Sequence, residues 1–277
     1  IRDRVRTGAS MFYFAKGDNV KSAAEDFSHQ VSQAFEKKRK NSKKLAIDKI
    51  MLDGFKSLES RDFKIENGEK IMEHARSIKS AEEIKAMRCS ISACETSIHV
   101  MEKETKPGMT ENDIWSILHS ENIKRGGEWI ETRLLSSGTK TNPWFQECGS
   151  RILQNNEIVA FDTDLVGCYS MCTDISRTWW IGDQEPTKEM KQDYQIALEH
   201  IQKNAELVAP GVPFKDLTFK GHQLDYMYKK QQYSCRFHGV GLCDEFPLIT
   251  YQEDYEEGAF DYVLQPGMTL CVEALIS

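Results

Sequence analysis

Apolar positions divide the chain near residue 75. Upstream, Lys44–Asp48 reads as a strand, Lys49–Glu59 as a helix, and Phe63–Gly68 as a strand entering a turn. Downstream, Ile84, Met87, Ile91, Cys94, Ile98 and Met101 step by three or four residues, which sets one apolar stripe along a long helix. Ser80 and Glu83 form a capping box ahead of it, and Pro107-Gly108 stops it. Thr110 then caps a second helix that runs through His119. The plan returns 103 residues later, where a helix carrying His200 stops at Pro210-Gly211 and a second begins near Phe214. Such an echo predicts a duplicated α/β half, with the sheet segments of both halves meeting at one site. A hairpin from Asn155 to Tyr169, joined by the strand Ser176–Gly182, should carry Asp162 beside Asp174. Pro266-Gly267-Met268 launches a strand that carries Glu273.

Four residues of metal-ligand type stand on those sheet segments. Asp162 ends the apolar run from Ile158, Asp174 precedes Ile175-Ser176-Arg177-Thr178, His238 opens His-Gly-Val-Gly-Leu, and Glu273 follows Leu270-Cys271-Val272. Three carboxylates and one imidazole form a hard, oxygen-rich set suited to Mn, Fe, Co or Zn, and bridging carboxylates can hold two ions.

Composition narrows the function class. Thirty-six basic against 43 acidic residues give a net charge of −7, a poor match for general nucleic-acid binding. The basic run Lys37–Lys40, followed by Lys43 and Lys44, reads as a solvated helix face. No stretch of about 18 apolar residues suggests a membrane span. The eight cysteines are scattered through a chain of 277 residues, which reads as reduced thiols in a cytoplasmic protein rather than a disulfide framework. Beginning at Ile1 and ending straight after an apolar run, the chain reads as a fragment or processed form.

Together the ligand-bearing segments, including Phe237–Leu242 and Pro266–Glu273, resemble the pita-bread metallohydrolases, the family of creatinase, aminopeptidase P and prolidase. The resemblance covers roughly residues 65–277. It implies an α/β (α+β) pita-bread catalytic domain over 76–277 with an internal pseudo-two-fold, preceded over 1–75 by the C-terminal part of a creatinase-like N-terminal domain. It also implies a binuclear centre held by Asp162, Asp174, His238 and Glu273, with a fifth carboxylate ligand beyond Ser277 and a homodimer as the assembly.

One branch fits better than the peptidases. Peptidases carry HGxGLxxHExP, whereas His238–Pro247 reads HGVGLCDEFP, so Asp244-Glu245 stands where a second histidine is expected. An added carboxylate, Asp164, follows Asp162 at a spacing that puts both on one face of a strand. With Glu128–Gly138 and Thr141–Gly149, these features are similar to the pita-bread lyases that cleave dimethylsulfoniopropionate to dimethyl sulfide and acrylate. That resemblance implies iron, with Mn or Zn as alternatives, Asp244 as the base and Tyr233 as an active-site residue. Trp129, Trp144 and Trp179, with Trp180, are candidates for an aromatic wall around the sulfonium. Arg177 reads as a brace between strands. The competing readings are an Xaa-Pro metallopeptidase, a creatinase-like hydrolase and a catalytically dead binding module.

Overall fold

The computed structural model describes Val5, Gly8 and residues 10–38 and 42–276. Arg39 and Lys40 of the basic run lie outside the described residues. The chain forms two compact units, 1–75 and 76–277.

The first unit holds α1 (Tyr13–Lys16), α2 (Val20–Lys38), β1 (Lys44–Ile47), α3 (Leu52–Glu59), β2 (Lys64–Asn67) and most of α4 (Glu69–Ser77). β1 and β2 pair in parallel. Helix α3 starts later than the sequence predicts, because Met51 is extended (φ −65°, ψ 145°) and serves as its cap residue. Ser28 and Ser57 hydroxyls meet at 2.8 Å and tie α2 to α3.

In the second unit, α5 (Ala81–Glu104) opens on the predicted capping box and buries Met87, Cys94, Ile98 and Met101. Ile91 of the predicted stripe is exposed, and Ser90 and Ser97 take interior positions instead. Ser90 faces inward because its hydroxyl bonds Met171 O and Thr173 Oγ1, each at 2.8 Å. Helix α6 (Glu111–Lys124) is also box-capped, by Thr110 and Asp113. Next come β3 (Trp129–Ile130), β4 (Leu135–Ser137), β5 (Glu157–Phe161), β6 (Asp164–Val166), β7 (Cys172–Asp174) and β8 (Arg177–Ile181). The remainder is α7 (Lys188–Ala205), α8 (Phe214–Lys220), β9 (Phe237–Val240), β10 (Asp244–Ile249) and β11 (Leu270–Val272). Strand orders are β4-β5-β8, β3-β6-β7 and β10-β9-β11.

The internal echo is an architectural repeat. Gly108 N–H donates to Leu153 O at 2.9 Å, and Gly211 N–H donates to Leu264 O at 2.8 Å. Both glycines adopt left-handed backbone, φ +91° and +88°, which turns each helix end back onto the sheet. Nine residues beyond Leu153 stands Asp162, and nine beyond Leu264 stands Glu273. Asp162 N–H donates to Leu134 O, and Glu273 N–H to Arg236 O, so each carboxylate leaves its strand at the same place in its half. A bond of 2.7 Å from Cys172 N–H to Gly241 O joins the two halves. Apolar packing follows the repeat: Ile114, Leu118, Leu135 and Phe161 lie in one core, and Phe214, Leu217, Phe237 and Ile249 in the other. Among the described residues, no helix is long and apolar enough to cross a membrane.

Candidate metal centre and active site

Where the two halves meet, Asp174, His238, Cys271 and Glu273 offer ligand atoms within 4.8 Å of one another, and Asp164, Asp174 and Asp244 form a second such group. Asp174, at the end of β7, belongs to both. The imidazole is oriented by its backbone. His238 Nδ1 lies 3.0 Å from Gly239 O, which only accepts, so Nδ1 carries the proton and Nε2 is left for a ligand role. Nε2 faces Asp174 Oδ2 at 3.0 Å and Glu273 Oε1 at 3.6 Å. Cys271 shares this group because it pairs directly with His238 across β9 and β11. The sequence reading missed it, although its place two residues before Glu273, at the end of an extended run, was the available signal.

Asp162 joins from the other half. Ser176 Oγ donates to its Oδ1 at 2.8 Å and Thr163 N–H donates at 3.0 Å. Burial pushes its carboxyl up to about 7, with the neighbouring Asp174 adding to the rise and the two hydrogen bonds opposing it. Asp164 arrives by a route other than the predicted one. The strand is interrupted at Asp162-Thr163, and Asp164 opens a different sheet, where it pairs directly with Asp174. Cross-strand pairing, not same-face spacing, brings it in. Burial raises its carboxyl as well. For His238, burial works against the charged form, but hydrogen bonds to Asp174 and Glu273 outweigh it and carry the imidazole up to about 12. Carboxylates crowded enough to resist ionisation, and to draw a second proton onto the imidazole at Nε2, mark a place where positive charge is favoured, and a cation bound there would take that proton's place. The donor set therefore fits a divalent metal.

Asp244 begins β10 at the rim, its side chain half-exposed and its Oδ1 3.9 Å from His238 Nδ1. Partial burial pushes its carboxyl up to about 7; His238 opposes the rise, and Asp174, Asp164 and Asp162 add to it. The adjacent Glu245 points the other way, into a fully buried ion pair with Lys79, while Arg76 Nε lies 3.3 Å from its second oxygen. Gly241 leaves room for this pair, because a Cβ there would meet Glu245 Oε1 at 2.6 Å and Lys79 Cε at 2.7 Å. Strand β10 is thus fixed from below. Lys79→Met should cost about 3 kcal/mol of unfolding free energy, the low end for breaking a buried pair because Arg76 still faces Glu245. A urea midpoint that does not move would refute the pair's structural role.

Tyr233 is part-buried close to the cluster. Its phenol is pushed well above its usual range by burial first, then by Glu273 and Asp162. Its ring stacks on Phe145 at 5.6 Å and 22°, and Trp144 sits 6.3 Å from Phe145. The other tryptophans of the expected wall are elsewhere. Trp179 packs edge-on against Phe161 in the core, because Val159, its partner in β5, faces α5 and α6. Trp129 is half-exposed on β3, opposite Val166. Arg177 is exposed, and its guanidinium donates to the carbonyl of its chain neighbour, Ser176 O, at 2.8 Å.

Residues 85–277 match the model of metallopeptidase family M24. The chain is 53% identical over 277 residues to the dimethylsulfoniopropionate lyase DddP of Roseobacter denitrificans and 52% identical over 276 residues to that of Roseovarius nubinhibens. Each alignment takes in 98% of this chain but only 62% of the relative's length. The X-Pro aminopeptidase of Thermotoga maritima superposes with a TM-score of 0.73 at 22% identity, over 91% of this chain and 69% of that one. An Xaa-Pro dipeptidase from Bacillus anthracis gives 0.75 at 21% identity, over 91% and 68%. These structures share the pita-bread fold that the ligand motifs imply.

Proposed function

From this chain's membership of metallopeptidase family M24, we propose that its site has been turned from peptide hydrolysis to β-elimination on dimethylsulfoniopropionate. The observation that carries the proposal is Asp244, a half-exposed carboxylate raised toward neutrality at the rim of the metal-ligand cluster. Likeness to two lyases of that name supports the substrate. Asp162, Asp164, Asp174, His238 and Glu273 would hold the metal, proposed as two iron ions. Manganese or zinc would suit the same donors. A divalent ion there supplies a Lewis acid for the substrate carboxylate and for the negative charge that builds beside it.

The protein's own groups then do the rest. Asp244 takes the proton from the carbon next to the carboxylate. The electrons of that C–H bond form the new C=C bond, and the C–S pair leaves with sulfur. The products are acrylate, neutral dimethyl sulfide and a protonated Asp244, which returns its proton to water. Tyr233 lines the substrate's side of the cluster. Burial raises the Asp244 carboxyl, which strengthens it as a base. The reading extends to a cytoplasmic homodimer, with residues 1–75 as the end of a creatinase-like N-terminal domain.

Iron-loaded protein given dimethylsulfoniopropionate should release dimethyl sulfide into the headspace, and metal-stripped protein should not. A folded, metal-loaded protein that yields no sulfide but cleaves an Xaa-Pro dipeptide would return the chain to the peptidases.

A further inference from the structure

A loop with no assigned role borders the site. Residues 138–149 connect β4 toward β5 and are fastened at both feet by one buried carboxylate. Glu111, fully buried on α6, accepts from Ser137 N–H at 3.0 Å, Ser137 Oγ at 2.9 Å and Gly149 N–H at 3.0 Å. It also holds Lys140 Nζ at 2.7 Å, and the same ammonium reaches Glu147 O at 2.9 Å. The clamp lies next to the metal ligands, because Leu134 bridges Glu147 and its carbonyl accepts from Asp162 N–H.

At the tip of this fastened loop, Phe145 adopts φ +66°. That region is costly for an aromatic residue, and glycine or asparagine would occupy it at less cost. The ring is also 54% exposed, so ordinary core packing does not account for the strain. One face is stacked on Tyr233, whose phenol feels Glu273, Asp162 and Asp174. The loop thus spends backbone strain to hold an open aromatic surface beside a cluster of carboxylates. An open, electron-rich aromatic face attracts a soft, weakly hydrated cation.

We propose that Phe145, backed by Tyr233, is the cation-recognition surface of this site and takes the dimethylsulfonium end of the substrate. The inference rests on the lyase reading for the identity of the cation, and on the geometry alone for its charge. It replaces the tryptophan wall with a phenylalanine–tyrosine pair. Glu111 acts as a positioning residue that fixes the loop without touching substrate.

The test compares two ligands of one shape that cannot undergo β-elimination. Dimethylsulfonioacetate carries the cation, and 3-methylbutanoate carries a CH group in place of S⁺. Both are titrated calorimetrically into metal-loaded full-length protein and its Phe145→Leu and Phe145→Trp variants. Wild type should prefer the cation by about tenfold, the range of a desolvated cation–π contact. Phe145→Leu should reduce that preference to about twofold with 3-methylbutanoate binding unchanged, and Phe145→Trp should keep it. Equal preference in wild type and Phe145→Leu overturns the proposal. Sulfide release by wild type is read separately. If the preference collapses in Phe145→Leu while wild type makes no sulfide, the cation surface stands and the lyase reading falls. If sulfide is made and the preference is unmoved, the reverse holds.

Discussion

Asp174→Ala is expected to abolish both metal retention and turnover. Asp174 stands in both ligand groups, pairs with Asp164 across the strands and faces His238 Nε2 at 3.0 Å. Changes that merely reorient a ligand weaken metal binding by about 10–100-fold. Removing a carboxylate shared by two groups should exceed that, so dialysed variant should hold less than about a tenth of the wild-type metal. Loss of fold would be a trivial cause, and melting the metal-free variant beside metal-free wild type tests for it. Deleting Asp174 relieves its repulsion of Asp162 but takes from His238 Nε2 a partner at 3.0 Å, so the two effects oppose each other. A variant that still unfolds in one cooperative transition while holding no metal has lost a ligand rather than its fold. Elemental analysis and headspace chromatography read the two losses. Normal metal content with normal sulfide release would remove Asp174 from the site.

Much of this arrangement is legible in the sequence because it rests on local signals. The capping boxes at Ser80 and Thr110 and the two Pro-Gly stops announce helix ends, and all four lie where local chemistry sets them. The echo of those stops marks the two halves, and its consequence, equivalent exits for Asp162 and Glu273, follows from the backbone bonds at Leu134 and Arg236. The less legible features are long-range. Asp164 faces Asp174 only through the β6–β7 pairing, and Cys271 joins the cluster only through β9. Lys79 is a lone lysine beside a capping box until the fold sets it against Glu245, 166 residues away. The facing of the tryptophans is hidden for the same reason. Tryptophan identity carries no information about facing, and Trp179 is turned to the core by its place opposite Val159. Phe145 depends on a left-handed residue in an irregular loop, for which hydrophobic periodicity has no signal.

Asp244→Asn separates catalysis from metal binding. Asparagine keeps the shape and hydrogen-bonding reach of the side chain but cannot accept a proton from carbon. The expected fall in kcat is about 10²–10⁴-fold, the usual contribution of a well-placed base. Metal content should stay at the wild-type level, because the residue is half-exposed at the rim and Asp162, Asp164, Asp174, His238 and Glu273 all remain. The strand should also stay in place, since Glu245 is held from beneath by Lys79 and Arg76. Three results can be told apart. A large loss of turnover with full metal makes Asp244 the base. A loss of metal makes it a ligand, consistent with its place in a group with Asp164 and Asp174. A fall of less than tenfold with full metal moves the base elsewhere. Tyr233 would then be the next group to replace, since Asp162 and Asp174 act on its phenol as they do on the Asp244 carboxyl.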